Sequence, residues 1–225
     1  MPDPDPLTIV TRPAYTPAER LADAVLHVAG LAAALVAAPA LVAVAAAMSA
    51  DGPTLAAASV YGATLVAMFA ASAGYHLVRR TDLAEILRRL DHAAIYAKIA
   101  GTYTPFTVLL GGDRALAILA GMWSAAGAGM LLKLIAPRRF EVATLALYLA
   151  MGWAVVVVGW PIIEALAPHA RVLLVTGGLL YTVGVGFHLW DSLPFQNAIW
   201  HGFVLVASFV LYAAVLIEIL RALPA

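Results

Sequence analysis

Arg88-Arg89-Leu90-Asp91-His92-Ala93-Ala94-Ile95-Tyr96-Ala97-Lys98 runs a basic doublet straight into an apolar stretch that carries an acid, an imidazole and an amine. Composition decides how such a stretch folds. Hydrophobic residues make up 64% of the 225-residue chain and charged residues 12%, against roughly 45–50% and 25% in soluble domains. The chain therefore reads as an all-α integral membrane protein. Ionisable side chains inside a membrane segment cost several kcal/mol unless they face protein or water, so they mark a function and require partners. Two segments offer them: Ser72-Ala73-Gly74-Tyr75-His76 closes one apolar run, and Asn197-Ala198-Ile199-Trp200-His201 opens another.

Working outward, seven apolar runs each approach the roughly 20 residues that cross about 30 Å of hydrocarbon. Thr16-Pro17-Ala18-Glu19 is a capping box with proline at the first helical position, starting a helix that runs to about Met48. The following helices are expected near 54–77, 91–110, 114–135, 142–160, 171–190 and 195–220. Asp51-Gly52-Pro53, Gly111-Gly112-Asp113, Pro137-Arg138-Arg139 and Pro161 supply breaks, and an amphipathic segment, Leu83 to Leu90, leads into the third helix. The expectation is one seven-transmembrane helix bundle over residues 1–225, with residues 1–15 as a flexible acidic, proline-rich tail. That tail lacks a basic region followed by an apolar core, so no signal peptide is expected.

Basic residues orient the bundle. With the N-terminus in the cytoplasm, inner segments carry Arg12, Arg20, Arg79, Arg80, Arg88, Arg89, Lys133, Arg138 and Arg139, and outer ones carry Arg114, Arg171 and Arg221. This asymmetry places the N-terminus inside and, with an odd number of spans, the C-terminus outside. The cell inner (plasma) membrane is the expected location. Zero net charge and the lack of a basic arm exclude a nucleic-acid partner and leave membrane lipids as the natural contacts. The absence of cysteine removes thiolate metal sites.

The same topology puts His27, His76, His92, His188 and His201 in the inner layer, with His169 opposite. Ser72 and His76 are four residues apart, as are Asn197 and His201, so each pair shares a helix face. Lys98 lies seven residues beyond Asp91 on the same face. Because helical side chains lean toward the N-terminus, its ammonium is expected to reach back toward Asp91. His27 and His188 read as ordinary residues of the membrane boundary, and His92 as a packing or capping residue. Trp153, Trp160, Trp190 and Trp200 read as an interfacial belt. Ala125 and Gly129, four apart, suit close helix packing.

The three motifs, in order, resemble the bacterial haemolysin III family, which is similar to the progestin and adipoQ receptors. They are Ser72 to His76, Leu90-Asp91-His92 on through Ile99-Ala100-Gly101-Thr102-Tyr103-Thr104-Pro105-Phe106, and Leu193-Pro194-Phe195-Gln196-Asn197-Ala198-Ile199-Trp200-His201. The resemblance implies a seven-helix bundle with zinc near the cytoplasmic side, His76 and His201 as ligands, and Ser72 and Asp91 as catalytic groups beside the metal-bound water. The family carries two histidines four apart in the last helix. Here Asn197 holds the first position, and an amide oxygen is a poor substitute for imidazole. Three outcomes follow: Asn197 or water completes the site; Asp91, His92 or His188 moves in; or the metal is lost and Lys98 supplies its charge. The implied activity is zinc-dependent hydrolysis of a lipid amide or ester in membrane lipid homeostasis. The alternative is a non-enzymatic receptor-like sensor or a haemolysin-like pore with a degraded metal site. Polar residues gather in the inner layer rather than along whole helices, which argues against a channel.

Overall fold

A computed structural model describes residues 16–78, 82–136 and 140–222, so the tail and the basic residues Arg12, Arg79, Arg80, Arg138 and Arg139 lie outside the described residues. The described chain forms eight helices: α1 (Pro17–Ala47), α2 (Gly52–Leu77), α3 (Ala84–Leu110), α4 (Gly112–Ile135), α5 (Glu141–Val157), α6 (Trp160–Ala165), α7 (Pro168–His188) and α8 (Gln196–Ala222). Five of them, α1, α2, α4, α7 and α8, are long and apolar enough to cross a membrane. This is a helical integral membrane protein.

Local chemistry accounts for the helix ends. The capping box forms as expected: the Glu19 amide donates to Thr16 Oγ1 at 3.2 Å, and the Thr16 amide donates to Glu19 Oε2 at 2.8 Å. Asp51 caps α2 by accepting from the Thr54 amide at 2.9 Å. Two boundaries differ from expectation. The segment from Leu83 to Leu90 is not a separate element but the first turns of α3, where Glu85 pairs with Arg88 at 3.0 Å and Arg89 at 3.2 Å, three and four residues on. Pro161, expected only to stop a helix, sits in the first turn of the short α6, where a missing N–H costs nothing.

α3 is the hub of the bundle, packing against α2, α4, α5, α6 and α8. Its residues from Ala100 to Thr107 are buried without a break, as expected of a helix enclosed on all sides. Every polar group brought into that interior needs a partner. Tyr96 donates to the Thr144 carbonyl at 3.1 Å, Tyr103 to that of Met151 at 2.8 Å, and Tyr148 to that of His92 at 2.9 Å, stitching α3 to α5. Gly129 of α4 lies flat against Tyr96: a Cβ there would stand 2.3 Å from the ring, so the close packing read from Ala125 and Gly129 rests on Gly129. Trp153 donates to Thr182 at 3.0 Å and Trp200 packs on His188, so both tryptophans also make contacts within the bundle.

Lys98 does not reach back to Asp91. Its ammonium points the other way, donating to Thr102 Oγ1 at 2.8 Å and lying 4.4 Å from the centre of the Tyr61 ring, with the residue 3% exposed. The lean of the Cα–Cβ bond sets where a side chain starts, and four methylenes let it choose its end. A hydroxyl and an aromatic face lay within reach on the far side.

Two substitutions test this packing. Gly101→Ala places a methyl 2.1 Å from Thr64 Oγ1 and is expected to destabilise by about 1–3 kcal/mol, read as a lower midpoint of detergent-induced unfolding. Lys98→Met replaces a buried ammonium by an apolar chain of similar length; stability is expected to hold or rise, by about 2–4 °C in Tm for each kcal/mol gained. A marked loss would show that the ammonium holds α3 to α2.

Candidate metal centre

Asp23 and His27 lie one turn apart on α1, at the start of a buried stripe that continues through Gly30, Ala34, Ala38, Leu41 and Ala45. Steps of three or four residues keep that stripe on one side of the helix, where small side chains let α2 and α8 approach. At Gly30 a Cβ would stand 2.7 Å from the Phe69 ring of α2, and at Gly62 one would stand 3.0 Å from Ala38 Cβ. The stripe thus carries Asp23 and His27 into the gap between α2, which ends one residue after His76, and α8, whose second turn holds His201.

The four side chains converge. His201 Nδ1 donates to Asp23 Oδ1 at 2.7 Å, His76 Nδ1 lies 3.2 Å from Asp23 Oδ2, and His27 Nε2 lies 3.5 Å from Asp23 Oδ1. The three rings pack against one another with centroids 4.3 to 4.5 Å apart; His27 stacks on His76, and His76 meets His201 edge to face. The carboxylate and His27 are buried, with side chains 5% and 2% exposed, while His76 and His201 retain 19% and 12%. One donor atom from each residue can be chosen so that all four lie within 4.8 Å of one another.

This arrangement can hold a metal ion. Bonds of about 2.0–2.1 Å in a tetrahedral site put neighbouring donors about 3.3–3.4 Å apart, and the three carboxylate-to-nitrogen distances straddle that value. The donor types, imidazole and carboxylate, suit zinc and its neighbours. The hydrogen bonds also leave a gap: His27 Nε2 is buried with no hydrogen-bond partner, because 3.5 Å is too far to count as one. A buried ring nitrogen left unpaired costs about 1–3 kcal/mol, and a shared cation would satisfy it.

Of the residues singled out in the sequence, His76 and His201 meet in this cluster. Ser72 and Asn197 are half-buried, each one turn ahead of its histidine on α2 and α8. Asp91 stands outside the quartet on α3, with its carboxylate 3.8 Å from His92 Nδ1. His92 does not cap α3: its Nδ1 lies 2.7 Å from the Arg88 carbonyl one turn back inside the same helix. Tyr75 lies edge-on to both His76 and His92. Two members were missed: Asp23 drew no attention, and His27, read as a boundary residue, is a buried core member. Their spacing of four residues was the available signal, since it repeats that of Ser72 with His76 and Asn197 with His201.

A membrane-embedded helical bundle whose first, second and last helices converge on three histidines and a carboxylate defines the class. The family model for haemolysin-III related proteins matches residues 17–212, from the start of α1 into α8. The chain is 38% identical over 205 residues to Hemolysin-3 of Bacillus cereus, covering 90% of this chain and 92% of that protein. It is 35% identical over 207 residues to a Hemolysin-3 homolog of Bacillus subtilis (strain 168), covering 90% and 95%. It is also similar, at 32% identity over 169 residues, to the human monocyte to macrophage differentiation factor, covering 69% of this chain and 67% of that protein. The chain belongs to the haemolysin-III related family.

Direct contact within the quartet makes its energetics non-additive. In protein stripped of metal by a chelator, a double-mutant cycle with Asp23→Asn and His201→Ala is expected to give a coupling of about 0.5–3 kcal/mol in unfolding free energy. Additive effects would show that the two side chains do not touch.

Proposed function

We propose that this protein is a zinc-dependent hydrolase of a lipid amide or ester, with its site just beneath the inner headgroups of the cell membrane. The observation that carries the reading is the quartet itself: four metal-type donors from α1, α2 and α8, one of them an orphaned buried nitrogen. Supporting it, the seven longer helices suit the seven spans of this reading, with α6 as a short turn between two of them, and the basic residues favour a cytoplasmic N-terminus and an outer C-terminus.

His27, His76 and His201 would hold the zinc, and Asp23 supplies the oxygen donor that the Asn197 amide provides poorly. Bound zinc lowers the pKa of water toward 7 and polarises a carbonyl oxygen. The chain's own groups do the rest. The His76 and His201 edges face the opening and orient the substrate carbonyl, while Asp23 keeps the imidazoles in one geometry. A carboxylate must take the proton from the attacking water; Asp23 lies nearest, and Asp91 on α3 is the second acceptor. Ser72, one turn from His76, donates its hydroxyl to the oxygen that gains charge. Membrane lipids are the substrates and neighbours.

One observation favours a second reading. Four protein donors close a tetrahedral site, and closed sites are structural, whereas catalytic ones keep a position open. If Asp23 stays on the metal, the protein is a metal-dependent sensor without catalysis. Purified protein separates the two by metal analysis and by release of fatty acid from defined phospholipid and ceramide vesicles. The hydrolase reading expects about one zinc per chain, with both zinc and hydrolysis lost in His76→Ala and a rate loss of about 10²–10⁴-fold in the variant, Asp23→Asn or Asp91→Asn, that removes the base. Stoichiometric zinc without turnover supports the sensor. Protein that binds no metal overturns both.

A further inference from the structure

Glu19 is not part of the quartet, yet it lies four residues before Asp23 and eight before His27 on α1. Its carboxylate does two jobs at once. Oε2 accepts from the Thr16 amide and hydroxyl, both at 2.8 Å, closing the capping box of α1. Oε1 accepts from the Phe195 amide at 2.9 Å, across a sequence separation of 176 residues. Phe195 is the residue immediately before α8 and holds a left-handed backbone with φ of 61°. A non-glycine residue keeps such a conformation only where its surroundings determine it. The Gln196 side chain adds a second tie by donating to the His188 carbonyl at the end of α7.

At the end of α1 that carries Asp23, two rungs therefore join α1 and α8; a third lies farther along, where the Tyr212 hydroxyl donates to the Ala37 carbonyl at 2.9 Å. The outer rung is Glu19 to Phe195, at the point where α8 begins; the inner one, a turn deeper, is Asp23 to His201 at 2.7 Å. The first determines where α8 enters and how far it is rotated, and so where the His201 ring falls. We propose that Glu19 is a positioning residue for the metal centre: by accepting the Phe195 amide, and separately from its role in the α1 cap, it sets the α1–α8 spacing that brings His201 to Asp23 and His27. This rests on the metal-binding reading given above. Groups that orient metal ligands without touching the metal commonly change affinity by about 10–100-fold.

The experiment uses full-length protein in lipid nanodiscs, stripped with a chelator and titrated with Co²⁺, whose visible spectrum reports ligand geometry. Backbone amide exchange at Phe195 is followed in the metal-free state. Glu19→Ala is expected to weaken Co²⁺ binding by about 10–100-fold, to alter the visible bands and to speed exchange at Phe195. Glu19→Gln retains an acceptor oxygen and is expected to restore affinity and protection toward wild type. Thr16→Ala damages the cap but leaves the Glu19–Phe195 contact, so it is expected to lower Tm with affinity unchanged. Affinity in Glu19→Ala equal to wild type overturns the proposal, as does an equal loss in Thr16→Ala, which would reduce Glu19 to a helix cap. Phe195 exchange that ignores Glu19 overturns the clamp whatever the metal does. Wild type that takes no Co²⁺ while Phe195 protection still depends on Glu19 overturns the metal reading and with it the role assigned here.

Discussion

One buried carboxylate shared by three imidazoles is the constraint around which one end of the bundle is arranged. Asp23 cannot remain ionised at 4% exposure without partners, because an isolated charge in a low-dielectric interior is too costly. The partners come from three helices: His27 one turn on along α1, His76 at the end of α2, and His201 early in α8. His76 and His201 need their helices to approach α1 closely, and the small residues Gly30, Ala34 and Ala38 on the buried stripe permit that. Packing and polarity thus support each other: the stripe brings the helices together, and the carboxylate gives their ends a common point.

Much of this was legible in the sequence. Apolar runs, the capping box at Thr16 and the breaks at Asp51 and Gly111 located the longer helices to within a few residues, because those signals are local; the exception is α3, whose polar first turns extend it back to Ala84 rather than Asp91. His76 and His201 were legible through their motifs. Asp23 and His27 were not, although α1 shows a buried stripe spaced by three and four residues whose first two members are polar. An acid close to the start of a membrane helix reads as a solvated end unless the partner helices are known to cover it. The partners lie about 50 and 180 residues away, and nothing local announces them. Lys98 failed for a related reason. Its direction depended on Thr102 and on the Tyr61 face, and the second belongs to another helix.

The hub role of α3 follows from where its polar groups go. Tyr96 and Tyr103 bond to α5 carbonyls, and Trp123 of α4 donates to Thr104 at 3.2 Å. The threonines at 102, 104 and 107 return their hydroxyls to the carbonyls of Lys98, Ala100 and Tyr103. A helix read as the carrier of the site is therefore chiefly the carrier of the fold. Its acid, Asp91, stands outside the quartet, 3.8 Å from His92 Nδ1.

Exposure within the quartet gives the site a direction. Asp23 and His27 form a closed floor on α1, while His76 and His201 keep an accessible edge. A ligand approaching from α1 would have to part the stripe, whereas the exposure that remains is on α2 and α8. Ser72 and Asn197 lie one turn from those two partly exposed histidines on the same helices, whereas α1 contributes only buried groups to the quartet. A catalytic reading requires such division between a wall that holds charge and an edge that meets substrate. A structural metal site does not require it, and the uneven burial of the four donors is what supports the proposed hydrolysis over the structural alternative.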